Sequence, residues 1–357
     1  MKKIIIILSL VFLSGRILGM GVITEVLFQG MTGSKTQVST SLRADLFVDL
    51  LEQEDVMADL HYQIDDHKSR LNTAKVKFIF DNLDIVLGRQ LLGWGSGYNF
   101  NPTDVINAKP LGAAFDPVYI KTGRDAVLLA YYPSGAVTAE FVFAPQYNRV
   151  SYMDSETTIT ENGKQDFGVR LKTHVNDFDI AFVYVNVGQR MFNAVNEPED
   201  DLLGVYFKGT LPILEWGVWA EYARYLDQSG HELVCGFDYT YENYYFNIEY
   251  YRNGFGAVNK HYYNMDLVTR GRLLARDYLV PSLAVIVDEK LSATLFSFIN
   301  MNDSSAILGG VLDYFYNDQV EIILTPYVLL GDTDTEYGIQ ADASGGIGVQ
   351  GAVKVAL

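Results

Sequence analysis

The stretch GRQLLGWGSGYNFNPTD, residues 88 to 104, holds the residue types that come nearest to a chemical motif. Glycines alternate with aromatics, Ser96 sits among them, and an Asn-Pro-Thr-Asp run follows. A dinucleotide-binding loop needs glycine at its first, third and sixth positions, where the backbone must turn, approach the pyrophosphate and pack the following helix. Gly93 and Gly95 supply the first two, but the sixth position is Tyr98, whose ring fills the space the helix needs. A nucleophile elbow needs glycine two residues before and two after its serine. Around Ser96 those positions hold Trp94 and Tyr98, and no Gly-Lys-Ser/Thr follows, so the segment fits neither nucleotide binding nor acyl transfer.

The remaining candidates are no closer to a reaction centre. His61, His67, His174, His231 and His261 form no HExxH and no i, i+4 pair. His61 and His67 flank Asp65 and Asp66 and read as a solvated loop tip rather than a metal site. Asp332, Asp334, Glu336 and Asp342 lie in GDTDTEYGIQADASGG, without the glycine and terminal glutamate of a calcium loop. The single cysteine, Cys235, excludes an internal disulfide and a multi-cysteine metal site. No cofactor, no metal and no catalysis are expected. An outer-membrane hydrolase would need a serine, a base and an orienting group from distant strands, which spacing alone does not reveal.

The elements that position these residues begin with an export signal. Lys2 and Lys3, an apolar run from Ile4 to Leu13, and small residues at Gly19 and Gly21 have the order of a secretory signal peptide over residues 1 to 21. Its removal takes Lys2, Lys3 and Arg16 from 27 basic residues, leaving about 24 against 44 acidic ones and a net charge near -20. Such a charge repels nucleic acid. No later apolar run reaches the ~20 residues of a spanning helix. With 24 Tyr, 20 Phe and 31 Gly but only 9 Pro, the composition favours many strands in one domain, residues 22 to 357.

Period-2 alternation recurs along that domain. In LEWGVWAEYARYL, Leu214, Trp216, Val218, Ala220 and Tyr222 oppose Glu215, Trp219 and Glu221. DFGVRLKTHV and ENYYFNIEYY repeat it. Segments of about ten residues suit tilted strands crossing a membrane. Seventeen are predicted: 36–49, 54–66, 73–80, 83–91, 124–132, 136–145, 165–175, 178–188, 201–210, 213–226, 232–241, 243–252, 273–287, 290–300, 304–316, 319–331 and 347–356. Tight turns such as Asn176-Asp177 and Glu242-Asn243 alternate with longer links at 146–164, 189–200, 227–231, 253–272 and 332–346. Short turns in the periplasm and long loops outside are the pattern of an outer-membrane barrel. For the chain to start in the periplasm, an upward strand at 22–30 is required, which makes eighteen, an even number. The fold class is therefore all-β, a transmembrane antiparallel barrel of about 18 strands (16–18).

In that frame residues 92–122 form the third long loop, carrying Trp94, Tyr98, Phe100, Ile106, Leu111 and Phe115, which need cover. A loop of about thirty residues is commonly functional, and folding into the lumen would cover it. Eighteen strands with an inward third loop resemble the bacterial general porins, and GRQ...WG...NPTD resembles a segment of porin-like and alginate-export-like outer-membrane barrels. The architectural likeness spans the mature chain and the motif only residues 88 to 104. The chain departs from the family at Leu357, where such barrels commonly end in an aromatic residue. The resemblance implies passive diffusion of small hydrophilic solutes or ions through a water-filled channel, insertion in outer-membrane lipid, and a homotrimer.

Particular residues follow from alternation and loop position. Trp94, Tyr98, Asp104 and Asp116 are expected at the constriction. Glu215, Glu221, Asp238 and Glu249 are expected on an acidic lumen wall, with Arg43, Lys75, Lys77, Arg170 and Lys172 on a basic one. Opposed walls would orient polar solutes, and the acidic balance suggests a preference for cations. A second reading is a structural or surface-polysaccharide-binding barrel whose loop 92–122 plugs the lumen; a third is a soluble exported β-protein.

Overall fold

The computed structural model describes residues 19–32, 37–65, 69–107, 123–145, 147–152, 158–188, 190–192, 195–197, 200–269 and 272–356. In chain order the strands are β1 (Gly19–Thr32), β2 (Gln37–Gln53), β3 (Val56–Asp65), β4 (Ser69–Phe80), β5 (Leu83–Gln90), β6 (Arg124–Ser134), β7 (Val137–Ala144), β8 (Tyr147–Tyr152), β9 (Thr158–Gly163), β10 (Asp166–Val175) and β11 (Phe178–Val187). They continue with β12 (Arg190–Phe192), β13 (Val195–Glu197), β14 (Asp200–Leu211), β15 (Trp216–Tyr225), β16 (His231–Tyr241), β17 (Tyr244–Asn253), β18 (Asp277–Ile286), β19 (Leu291–Asn300), β20 (Ala306–Asn317), β21 (Val320–Leu330) and β22 (Ile347–Ala356).

Eighteen of these form one antiparallel meander in which β7 pairs with β10 and β11 with β14, and every other pairing joins neighbours in sequence. The last strand returns to the first: β22 pairs with β1 from Ile23↔Ala356 to Thr32↔Ile347. The sheet is thus closed, and no edge is left to hydrogen-bond in lipid. All eighteen expected strand segments are present, with ends shifted by a few residues: the segment expected at 213–226 starts at Trp216, and that at 36–49 runs on to Gln53.

Alternation assigns the two faces. On β14, Leu203, Val205 and Phe207 are exposed, whereas Leu202, Gly204 and Tyr206 are buried. On β10, Phe167, Val169 and Leu171 face out while Asp166, Gly168 and Arg170 face in. Phe143, Phe182, Leu283, Leu308 and Val349 extend the exposed apolar band around the ring. A continuous apolar exterior of this kind is unfavourable in water and suited to acyl chains. Cys235 lies on that outer face.

At one end the turns are tight. Asn176 and Glu242 begin two-residue turns with φ of 53° and 51°, a left-handed conformation that asparagine tolerates readily and that costs a glutamate about 1 kcal/mol. The opposite end carries the long links, and these hold more structure than expected. β13, β12, β9 and β8 form a separate four-stranded sheet built from the links after β7 and β11. The link after β21 contains a helix, Glu336–Ser344, capped by Thr335, whose hydroxyl accepts from Gly338 N.

Candidate functional site

Residues 91 to 107 leave the end of β5 and fold inside the barrel as a strap. Asn107 closes its base: the side-chain amide donates to Leu92 O, and Leu92 N donates back to Asn107 Oδ1. The Asn-Pro-Thr-Asp run is a β-turn in which Asp104 N donates to Asn101 O at 3.1 Å. Pro102 occupies the position where proline's fixed φ favours the turn. Leu92, Trp94 and Ile106 pack on the inward faces of β6, β7, β11, β14 and β15, among Val142, Val183, Leu202 and Ala223. Phe100 stacks on Tyr251 of β17 at 4.1 Å and 11°.

Two lumen carboxylates hold the strap by its backbone. Glu221 of β15 accepts from Ser96 N at 2.7 Å, Thr103 N at 2.6 Å and Thr103 Oγ1 at 2.8 Å. Glu249 of β17 accepts from Tyr98 N at 2.7 Å, Asn99 N at 2.9 Å and Phe100 N at 3.1 Å, and from Trp219 Nε1 at 2.9 Å. Three successive amides converging on one carboxylate form an anion-binding concavity. Glu221 and Glu249 are 1% and 0% exposed, so these bonds replace the water that a buried carboxylate would otherwise lose at high cost. Two glycines, one in the strap and one on the wall behind it, have a steric role here. Gly95 has φ +105°, and a Cβ there would lie 2.7 Å from Glu221 Oε2. A Cβ on Gly204 would lie 2.3 Å from the Thr103 methyl.

Trp94 is an anchor rather than a pore-facing ring. It is buried, its Nε1 donates to Glu140 Oε2 at 3.0 Å, and the Arg170 guanidinium lies 5.5 Å from its ring centroid. Arg170 also donates to Gly93 O, to Tyr206 Oη and to Glu140 Oε1. Tyr98 is left half-exposed, with its hydroxyl on Asp238 Oδ2 at 3.0 Å and Lys208 Nζ 4.5 Å from its ring. Burial, and then the hydrogen bonds with Tyr245 and Asp238, push the Tyr98 phenol well above its ordinary value.

Most of the residues expected on acidic and basic walls lie on the inner face, and many of them are engaged there. Glu221 and Glu249 face inward but are consumed by the strap, and Asp104 is buried within it, accepting from Asn107 Nδ2 at 3.3 Å. Glu215 lies in the turn between β14 and β15 with φ 56°, because the strand starts one residue later. Asp238 does face inward, in register with Gly217. Lys75, Lys77, Arg170 and Lys172 also face inward, yet each meets a carboxylate on an adjacent strand: Asp59 at 3.5 Å, Asp84 at 2.7 Å, Glu140 at 2.5 Å and Asp179 at 2.8 Å. These four basic residues thus sit in cross-strand ion pairs on the inner wall. Arg43 lies on β2 in register with Glu25 and Asp65, its side chain outside the described ones, and Asp116 lies outside the described residues. His61 is not a solvated tip: it is buried, 2.8 Å from Asp45 Oδ1 and stacked on Phe47. His67 lies outside the described residues.

Three partners were not anticipated from the sequence. Glu140 has the inward parity of β7, but nothing marks it as the acceptor of Trp94. Arg124 pairs with the buried Asp166 and donates to Ile106 O, fixing the far end of the strap. The link after β17 also folds inward, where Tyr263 and Leu273 join Phe100 against Trp219, Tyr251 and Tyr278.

No family model and no curated protein matches the chain. Solved structures do. OccAB4 of Acinetobacter baumannii superposes with a TM-score of 0.60 at 10% identity, over 95% of this chain and 97% of that one. OpdQ of Pseudomonas aeruginosa gives 0.62 at 8% identity, over 95% and 96%. OccK11 (OpdR) of the same organism gives 0.59 at 10%, over 95% of each chain. The fold of this chain is that of the bacterial outer-membrane porins.

Proposed function

We propose that the protein is an outer-membrane channel through which small hydrophilic solutes or ions diffuse, narrowed by the strap at residues 92–107. The observation that carries this reading is the seating of the strap backbone on Glu221 and Glu249, two carboxylates of the inner wall. The arc from β20 through β4 keeps partly exposed polar pairs, Lys75–Asp59 and Lys354–Glu321, and solutes pass between it and Tyr98. Exposed Asp227, Asp266 and Asp332 on the long links support a modest preference for cations. Reversal potential in a salt gradient across a planar bilayer tests the preference, and an anion-selective result overturns it. The signal peptide at residues 1–21 and a homotrimer belong to the same reading. N-terminal sequencing of the exported protein and chemical cross-linking test them.

The plugged barrel is the second reading, favoured by the burial of Leu92, Trp94 and Ile106 and by the inward fold of the link after β17. Liposome swelling separates the two. A channel admits small sugars as the intact chain, whereas a plug admits them only after residues 94–106 are deleted.

A further inference from the structure

We infer that the outward face of β15–β17, at the end that carries the long links, docks a lipid-borne phosphate of the outer leaflet on Arg224, His231 and Arg252. The inference goes beyond the channel reading and rests only on the placement of the barrel in the outer membrane. Arg224 of β15 stands opposite His231 of β16, and Leu233, the next outward residue of β16, stands opposite Arg252 of β17. Alternation puts all three on the lipid side. On β15 Tyr222 and Arg224 are exposed while Ala223 and Tyr225 are buried, and on β17 Arg252 lies between the buried Tyr251 and Asn253. Strand spacing and rise put the two arginine Cα atoms about 12 Å apart, a gap that two arginine side chains close on one phosphate. Tyr222, one rung below Arg224, has its ring 6.2 Å from that of His231, and Tyr250 lies one rung below Arg252. Outward tyrosines at a strand end mark the headgroup level, so the three side chains stand at the height of lipid phosphates.

The pairing of charges singles this face out. Among the described residues no carboxylate pairs with Arg224. Arg252 reaches Asp277 only at 3.9 Å, and its Nε has no acceptor. The two outward carboxylates that flank the face are taken up by neutral donors: Asp277 by Tyr250 Oη at 2.5 Å, and Asp201 by Tyr184 Oη at 3.0 Å and Asn186 Nδ2 at 2.8 Å. Arg89, outward at the same end of β5, is by contrast bidentate on Asp125 at 2.9 and 2.7 Å. Cations left open on the lipid side of a chain whose net charge is -17 need an anion from outside it, because a guanidinium beside hydrocarbon is costly when unpaired. A phosphate accepts the planar guanidinium fork through two oxygens and attracts it strongly at a low-dielectric interface. A lipid held here also braces β15 and β17, the strands whose Glu221 and Glu249 carry the strap.

The test folds the full chain into phosphatidylcholine vesicles containing lipid A, with lipid A stripped of its phosphates as the matched control and inorganic phosphate as the soluble one. Lipid retained on the extracted barrel is measured by native mass spectrometry, and stability by the temperature of heat-modifiable unfolding. Expected is retention of lipid A, with a raised unfolding temperature, and neither effect from the dephosphorylated form. Arg224→Gln and Arg252→Gln should each weaken retention about tenfold or more, the loss of a hydrogen bond between charged groups, and Arg89→Gln should not. Equal retention of the two lipids overturns the site, as does a double Arg224→Gln, Arg252→Gln variant that retains lipid A like the wild type. Inorganic phosphate that reproduces the shift assigns the face to a soluble anion, and a double variant of altered oligomeric state assigns it to a second copy; either result overturns the lipid reading. Should the double variant fail to fold, Arg224→Gln alone, at an exposed and unpaired position, decides by the same retention. None of these outcomes bears on the channel reading, which conductance tests separately.

Discussion

Replacing Glu249 by alanine leaves Tyr98, Asn99 and Phe100 N–H and the Trp219 indole N–H without their acceptor in a site from which water is excluded. A hydrogen bond to a charged group is worth about 1.5–3 kcal/mol, and each orphaned amide costs about 1–3 kcal/mol where water cannot reach it. Water that enters the vacated space offsets part of this, so about 4 kcal/mol for the four donors together is the central figure. That corresponds to a factor of roughly a thousand in the equilibrium between seated and released strap. Glu221 and the apolar contacts of Leu92 and Ile106 remain, so the strap is loosened rather than lost. The barrel itself gains its ladder bonds elsewhere and should still insert. Single-channel recording is the assay: the variant should show a larger mean conductance with open-channel flicker and pass larger sugars in liposome swelling. A folded, heat-modifiable Glu249→Ala barrel with wild-type conductance and size cut-off would refute the anchoring argument.

Other perturbations test separate parts of the strap. Trp94→Ala removes a buried ring, its bond to Glu140 and its contact with Arg170, at a cost of about 3–5 kcal/mol, and should expose residues 91–107 to chymotrypsin in the folded barrel. Gly95→Ala places a methyl against the Glu221 carboxylate at a φ of +105°, at a cost of at least about 1 kcal/mol. It should reproduce the flicker of Glu249→Ala, whereas Gly93→Ala, with open space around it, should not. Arg124→Met removes the guanidinium that faces the buried Asp166 carboxylate and should lower the temperature of heat-modifiable unfolding more than Lys172→Met, whose pair with Asp179 is solvated and worth about 0–1 kcal/mol.

The strands were legible because two local signals coincide at each one. Alternation at Val218, Ala220 and Tyr222 against Trp219 and Glu221 fixes which side faces lipid, and Asn176-Asp177 or Glu242-Asn243 fixes where the chain reverses. Neighbouring pairings then follow without long-range information, and closure follows from parity. The strap was legible only in outline, as apolar residues needing cover inside the barrel. Its anchors were not, because Glu221 and Glu249 receive amides from residues 125 and 150 positions earlier. A backbone N–H carries no mark in a sequence. Inward parity alone made both look like solvated selectivity residues, and the same limit hid the pairings of Lys75, Lys77 and Lys172. Glu215 was misplaced because alternation was carried one residue too far into a turn. The helix Glu336–Ser344 was masked by the four carboxylates around it, although Thr335 is a good N-cap.

The central claim is that the strap narrows a lumen that still conducts. Its most direct test is stepwise conductance of the purified full chain in a planar bilayer, with neutral polymers of graded size added to the bath. Discrete steps that small polymers depress and large ones leave unchanged, with the cut-off moving upward when residues 94–106 are deleted, are what the account predicts. A folded, heat-modifiable barrel that gives no steps until those residues are removed would contradict it and establish the strap as a plug.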